Sequence, residues 1–177
     1  MANTFTLIAS STVGSGTVSS VTFSSIPATY TDLLIKVSAR STDIGNNYDN
    51  YYLTINGTAG GTAYSDKILY GVGSSTGSFG HSGVTQMQIG ATPNTAGTAS
   101  TFSNDDIYIP NYLSSNYKSV SAENVVERNT TTNGATFTAM VAGLWSSTST
   151  ITSLVLTPDA TNWVQYSSVY LYGIKNS

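Results

Sequence analysis

The chain offers acid–base chemistry little to work with: one histidine, nine acidic residues and no cysteine. His81 stands alone in GSFGHSGV. A nucleophilic triad needs the imidazole held by a third group beside an activated serine, and no serine elbow motif accompanies it. The expected reading is a solvent-facing loop histidine. The glutamates, Glu123 and Glu127 of SAENVVERN, share a face if that segment is a strand. Four residues at about 3.3 Å each then set their backbones about 13 Å apart, wider than glycosidase carboxyl pairs. Asp105 and Asp106 in SNDDIYIP are adjacent, so a strand turns them to opposite faces and they cannot grip one ion together. They read as polar caps near a strand start.

Two loops remain as ligand candidates. STDIGNNYDNYY, Ser41 to Tyr52, gathers Asp43, Asn46, Asn47, Asp49 and Asn50. Such oxygens suit a hard cation, which makes Asp43 and Asp49 the calcium candidates. The spacing is not that of an EF-hand, and Asx-rich loops usually bond their own backbone. GVGSSTG, Gly71 to Gly77, has the glycines of a phosphate loop without its lysine or its following helix. No catalytic residue and no cofactor is expected, and the protein reads as a non-enzyme.

Aromatic side chains are plentiful, with 12 Tyr, 5 Phe and 2 Trp. Tyrosine buries area at low rotamer cost and keeps a polar tip, which suits subunit interfaces and sugar platforms alike. Tyr48, Tyr51, Tyr52 and Trp163, in or beside loops, are the candidates to stack on a glycan.

Composition restricts the partners. Charged residues make up 8% of the chain, against about 25% in an ordinary soluble domain. Ser and Thr supply roughly a third of the sequence, so hydroxyls rather than ions must keep its surface wet. A net charge of -3, with six cations spread along the chain, argues against a groove that tracks phosphates, and nucleic acid is not an expected partner. The start, MANTFTLIASSTV, has no basic n-region. No stretch approaches the roughly 20 apolar residues of a spanning helix, so neither export by a signal peptide nor membrane insertion is expected.

The elements that would position these residues are strands throughout. Leu33, Ile35, Val37 and Ala39 alternate with Leu34, Lys36, Ser38 and Arg40, a period of two. Comparable segments occur at Phe5 to Ile8, Val18 to Phe23, Tyr51 to Ile55, Lys67 to Val72, Gly83 to Ile89, Thr101 to Ile109, Lys118 to Val126, Thr136 to Trp145, Ile151 to Thr157 and Val169 to Ile174. Asn56-Gly57 after YYLTI is a hairpin signal. Long surface loops are expected between Thr58 and Ser100, where glycine concentrates. About ten strands with no helical pattern between them predict a single all-β domain over residues 1–177, an antiparallel β-sandwich and, more finely, a jelly roll. The closing strand is apolar on both faces: Val169 and Leu171 point one way, Tyr170, Tyr172 and Ile174 the other. A strand covering one core has only one apolar face to fill. The second face is covered either by a neighbouring subunit, for which Tyr170, Tyr172 and Ile174 are the interface candidates, or by loops of the opposite sheet within a self-sufficient monomer.

Several segments resemble a known family. FSSIPATYTDLLIKVSARS (Phe23 to Ser41), YLTING (Tyr52 to Gly57), IYIPNY (Ile107 to Tyr112), ITSLVLTPDATNWVQYSSVYLYGIK (Ile151 to Lys175) and the opening MANTFTLIASSTVGSG are similar to virion proteins of tailed bacteriophages. The likeness spans most of the chain and is weakest in the glycine-rich middle. It implies a jelly-roll domain that serves as a head decoration (cement) protein or as a fibre component, often as a homotrimer, with the major capsid protein or other virion components as partners. The location implied is the virion, assembled in the host cytoplasm and then extracellular. The family's motifs are structural, and no binding residue carries over. Head decoration is the expected role, because the first strand begins by Phe5 with no stalk or heptads before it. The alternative is a tail-fibre module recognising host surface carbohydrate.

Overall fold

The computed structural model describes residues 4–45, 48–57, 61–130, 136–159 and 161–175. Among them the chain forms strands only: β1 (Phe5–Thr12), β2 (Thr17–Val18), β3 (Val21–Phe23), β4 (Asp32–Ser38), β5 (Tyr48–Ile55), β6 (Tyr64–Val72), β7 (Ser75–Val84), β8 (Met87–Pro93), β9 (Asn104–Ile109), β10 (Lys118–Val126), β11 (Phe137–Trp145), β12 (Leu154–Pro158), β13 (Trp163–Val164) and β14 (Ser168–Ile174). One sheet has eight strands in the order β1-β14-β4-β9-β10-β11-β6-β7, and a second has four, β3-β12-β5-β8. The two-residue strands β13 and β2 pair on their own. Every neighbouring pair of strands runs antiparallel. The all-β sandwich expected from the sequence is therefore present, with an eight-against-four division that departs from the balanced sheets of a jelly roll.

Period-two patterning accounts for the layers. Along β10 and the first six residues of β11, buried and exposed positions alternate strictly, so each strand gives one set of side chains to the core and the other to solvent. Between the sheets lie Leu33, Ile35 and Val37 of β4, Ile107 and Ile109 of β9, Leu53 and Ile55 of β5, and Leu154 and Leu156 of β12, each no more than 2% exposed.

The middle of the chain corrects the expectation of long loops. β6, β7 and β8 occupy it, and all seven residues of β8 are buried. Glycine there serves turns and close approaches rather than disorder of the pattern, and GVGSSTG is the tight connection between β6 and β7, with Gly73 at φ 55°. The Asn56-Gly57 signal is met locally, with φ 54° and 64°, as a primed turn demands. The strands on either side do not pair, however: β5 lies in the small sheet and β6 in the large one. Asn56 instead bonds the segment before β12, its amide donating to the Thr150 carbonyl at 2.7 Å and accepting from Thr152 N at 2.8 Å and Ser153 N at 3.1 Å.

One close approach fixes the end of the closing strand. Any Cβ built on Gly173 would clash with the ring of Tyr30, which packs against the core there. Gly173→Ala should therefore cost about 1–3 kcal/mol in urea unfolding, by overpacking. Adding Tyr30→Ala should cost less than the sum of the two single changes, because the clash and the ring are removed together.

Candidate functional site

The most enclosed chemistry lies between the sheets. Asp105, on the inward face of β9, is 1% exposed. Its Oδ2 accepts the Tyr51 hydroxyl at 3.0 Å and the Ser103 hydroxyl at 2.7 Å. Its Oδ1 accepts the Asn124 amide and, at 3.3 Å, the backbone N–H of Val125. Asn124, itself fully buried, clamps β8 as well, accepting from Ala91 N at 3.0 Å and donating to Ala91 O at 2.7 Å. The network thus ties β9 and β10 of the large sheet to β5 and β8 of the small one. Burial pushes the Asp105 carboxyl up to about 7 despite these donors, and pushes the Tyr51 phenol well above its ordinary value. The expected polar cap is instead a core node. Its neighbour Asp106 does turn to the opposite face, where Lys36 Nζ meets it at 2.7 Å. Sequence could say that one of the two acids faces inward, but not which one, or that Asn124 would be waiting.

His81 is not in a loop. It sits on β7 opposite Asp66 of β6, and its Nδ1 lies 2.8 Å from Asp66 Oδ1. Asp66 Oδ2 accepts from Gln88 N at 3.1 Å. The ring is part exposed, and it ends an aromatic row that runs from Tyr48 through Phe137, Tyr70 and Phe79. An oriented imidazole is one part of a nucleophilic apparatus; among the described residues no hydroxyl is bonded to it. Glu123 faces outward on β10, while Glu127 Oε1 accepts the N–H groups of Arg128 and Asn129.

The Asx-rich loop spends its carboxylates on the protein. Asp43 accepts from Gly45 N at 3.1 Å and from the Asn94 amide at 2.9 Å. Asp49 belongs to β5 and accepts the Thr161 hydroxyl at 2.6 Å, and its carboxyl is raised chiefly by burial, then by Asp43 and Asp159 against the lowering effect of its hydrogen bonds. Among the described residues no group of three or more His, Cys, Asp or Glu is placed to hold a metal ion. Asn46 and Asn47 lie outside the described residues.

The aromatic platforms are corrected too. Tyr51 is fully buried and Trp163 is 1% exposed, the two rings meeting edge-on at 5.6 Å. Neither can stack on a sugar. Tyr48 packs on Phe137, and Tyr52 is half-buried beside Asp159; burial first, and then the Asp159 carboxylate, raises its phenol to about 12. Sequence reasoning had no means of singling out the most exposed tyrosines, Tyr117 and Tyr166.

The outer face of the large sheet remains. Tyr170, Lys36, Asp106, Glu123, Met140 and Leu69 form one row across it, and Leu7, Tyr172, Leu34, Tyr108 and Ser121 the next. Of the three interface candidates, Tyr170 is 37% exposed, Tyr172 is half-buried beside Leu7, and Ile174 is buried within the chain. β1 pairs along the far side of β14, so the closing strand is not an edge. Exposed Phe5 and Leu7 mark one end of the face, and exposed Leu69, Met140 and Val125 the other.

No protein-family model matches the chain, and neither a curated protein nor a solved structure matches it.

Proposed function

We propose that the chain is a structural protein of a tailed-bacteriophage virion, a head decoration protein that binds the assembled capsid as a homotrimer and stabilises it. The observation that carries the reading is the outer face of the eight-stranded sheet. There, a chain with only 8% charged residues leaves Phe5, Leu7, Leu69, Met140, Val125 and Tyr170 in water. Large exposed apolar side chains gathered on one face mark contact with another protein. Covering each would contribute about 1.5–3 kcal/mol, repeated in every copy. The segments similar to phage virion proteins support the same reading. They build β4, the core strand β12 and the closing strand β14, the frame on which that face is laid.

Particles lacking the protein should lose infectivity at a lower temperature and after milder osmotic shock than complete ones. Immunogold labelling or a reconstruction should place it over the head. Label confined to the tail would overturn the decoration role. The second reading, a tail-fibre module for host carbohydrate, draws on the exposed rings of Tyr117 and Tyr166, 58% and 68% accessible. A glycan array with and without chelator separates the two, since decoration predicts silence in both arms.

A further inference from the structure

We infer that copies of this chain join edge to edge, β1 of one copy pairing with β7 of the next, in a closed ring. The inference rests on the virion reading and names the surface through which the copies would meet.

Three features of the large sheet carry it. The first is its parity: eight strands, all antiparallel to their neighbours, make β1 and β7 run in opposite directions. A second sheet placed head-to-tail beside the first therefore meets it with antiparallel polarity, and the same face stays outward. The ladder continues with no change of pattern.

The second is how lightly the two edges are guarded: neither strand carries a lysine or a proline. An edge strand presents unpaired N–H and C=O groups, and soluble proteins usually blunt it with Lys, Pro or inward charges. β1 reads FTLIASST, with neither a charge nor a proline. β7 reads STGSFGHSGV over ten residues, with the Asp66-bonded His81 as its one titratable group. Each edge strand carries a bulge, β1 between Leu7 and Ala9 and β7 at Gly83, whose φ is 66°. A bulge bends its strand, and a ring of sheets must turn at each junction.

The third is apolar complementarity between the two ends of the outer face. Phe5 and Leu7, 56% and 51% exposed, stand beside the β1 edge. Next to the β7 edge lies a shallow groove of about 650 Å³, lined by Leu69, Gly71, Thr76, Ser78, Thr138 and Met140. Leu69 and Met140 are 57% and 62% exposed. With strands about 4.8 Å apart, side chains from β1 of the next copy reach over the small residues of β7 into this groove. Pairing β1 with β1, or β7 with β7, would leave two edges open in each dimer, one on each copy, and would not bring the two apolar clusters together. The head-to-tail contact covers both edges and closes.

Sedimentation and light scattering on the full chain test this. Wild type should run as one closed species, a small multiple of the chain mass. Leu7→Lys and Ser78→Lys, each at an exposed position on one edge, should each reduce the mass to a single chain while far-UV circular dichroism stays unchanged. Mixing the two variants should restore heterodimers only, because each keeps one good edge; Phe5→Lys and Thr76→Lys serve as the second pair if either fails to fold. A monomeric wild type overturns the inference, as does either variant assembling like wild type or a mixture that stays monomeric. A monomer in solution would leave the position on the head, read separately on particles, untouched.

Discussion

Between about pH 4 and pH 7 the folded protein should become less stable as the pH rises, and Asp105→Asn should remove most of that slope. The carboxyl of Asp105 titrates near 7 in the folded chain because burial disfavours its charged form more than its four hydrogen-bond donors favour it. In the unfolded chain it titrates at about 3.9. Within that window the folded state holds a proton that the unfolded state has released, so unfolding gains with each increment of pH. The stabilisation is fully present below about pH 4 and is lost as the pH passes 7. Three pH units correspond to about 4 kcal/mol at most.

The protonated acid needs an acceptor as well as donors. The hydroxyls of Tyr51 and Ser103 supply it, because a hydroxyl can turn from donor to acceptor without moving its oxygen. Urea unfolding at a series of pH values measures the effect. Asp49, raised in the same direction, should leave a smaller residual slope in the variant. A variant that retains the full wild-type slope would show that Asp105 is ionised throughout.

Trp163→Ala should lower stability by about 3–5 kcal/mol, the cost of emptying a large buried aromatic site. The indole is 1% exposed, meets Tyr51 edge-on, and reaches the Leu156 carbonyl at 3.4 Å through Nε1. A residue that served as a sugar platform would behave in the opposite way, losing ligand and keeping the fold. The change should also couple to Asp105, since Tyr51 lies between them and water entering the cavity would ease the ionisation of the carboxyl. The double variant Trp163→Ala, Asp105→Asn should therefore depart from additivity. An unchanged urea midpoint for Trp163→Ala would refute the burial argument for this end of the molecule.

Much of this architecture follows from local pattern. KSVSAENVV and FTAMVAGLW place β10 and β11 within a residue of where they lie, because short runs rich in apolar residues, bounded by Asn, Ser, Thr and Gly turn signals and without helical periodicity, read as strands. The middle was less legible. STGSFGHSGV has little side-chain hydrophobicity, and its strand exists because β6 offers a ladder for it. Asn56-Gly57 shows the same division at a turn: local chemistry set both positive φ angles, while the choice of different sheets for β5 and β6 came from packing.

The sequence by itself determined an all-antiparallel β protein, poor in charge, with Asp105 and Asp106 on opposite faces and an apolar pair of faces on the closing strand. Only the tertiary structure decided that Asp105 is the buried one, that Tyr51 and Trp163 are core, that Ile174 is covered by its own chain, and that, among the described residues, β1 and β7 end the large sheet. The reason is the range of the interactions. Strand period and turn chemistry act over a few residues, whereas burial, edge status and the meeting of Asp105 with Tyr51 and Asn124 depend on strands far apart in sequence coming to lie together.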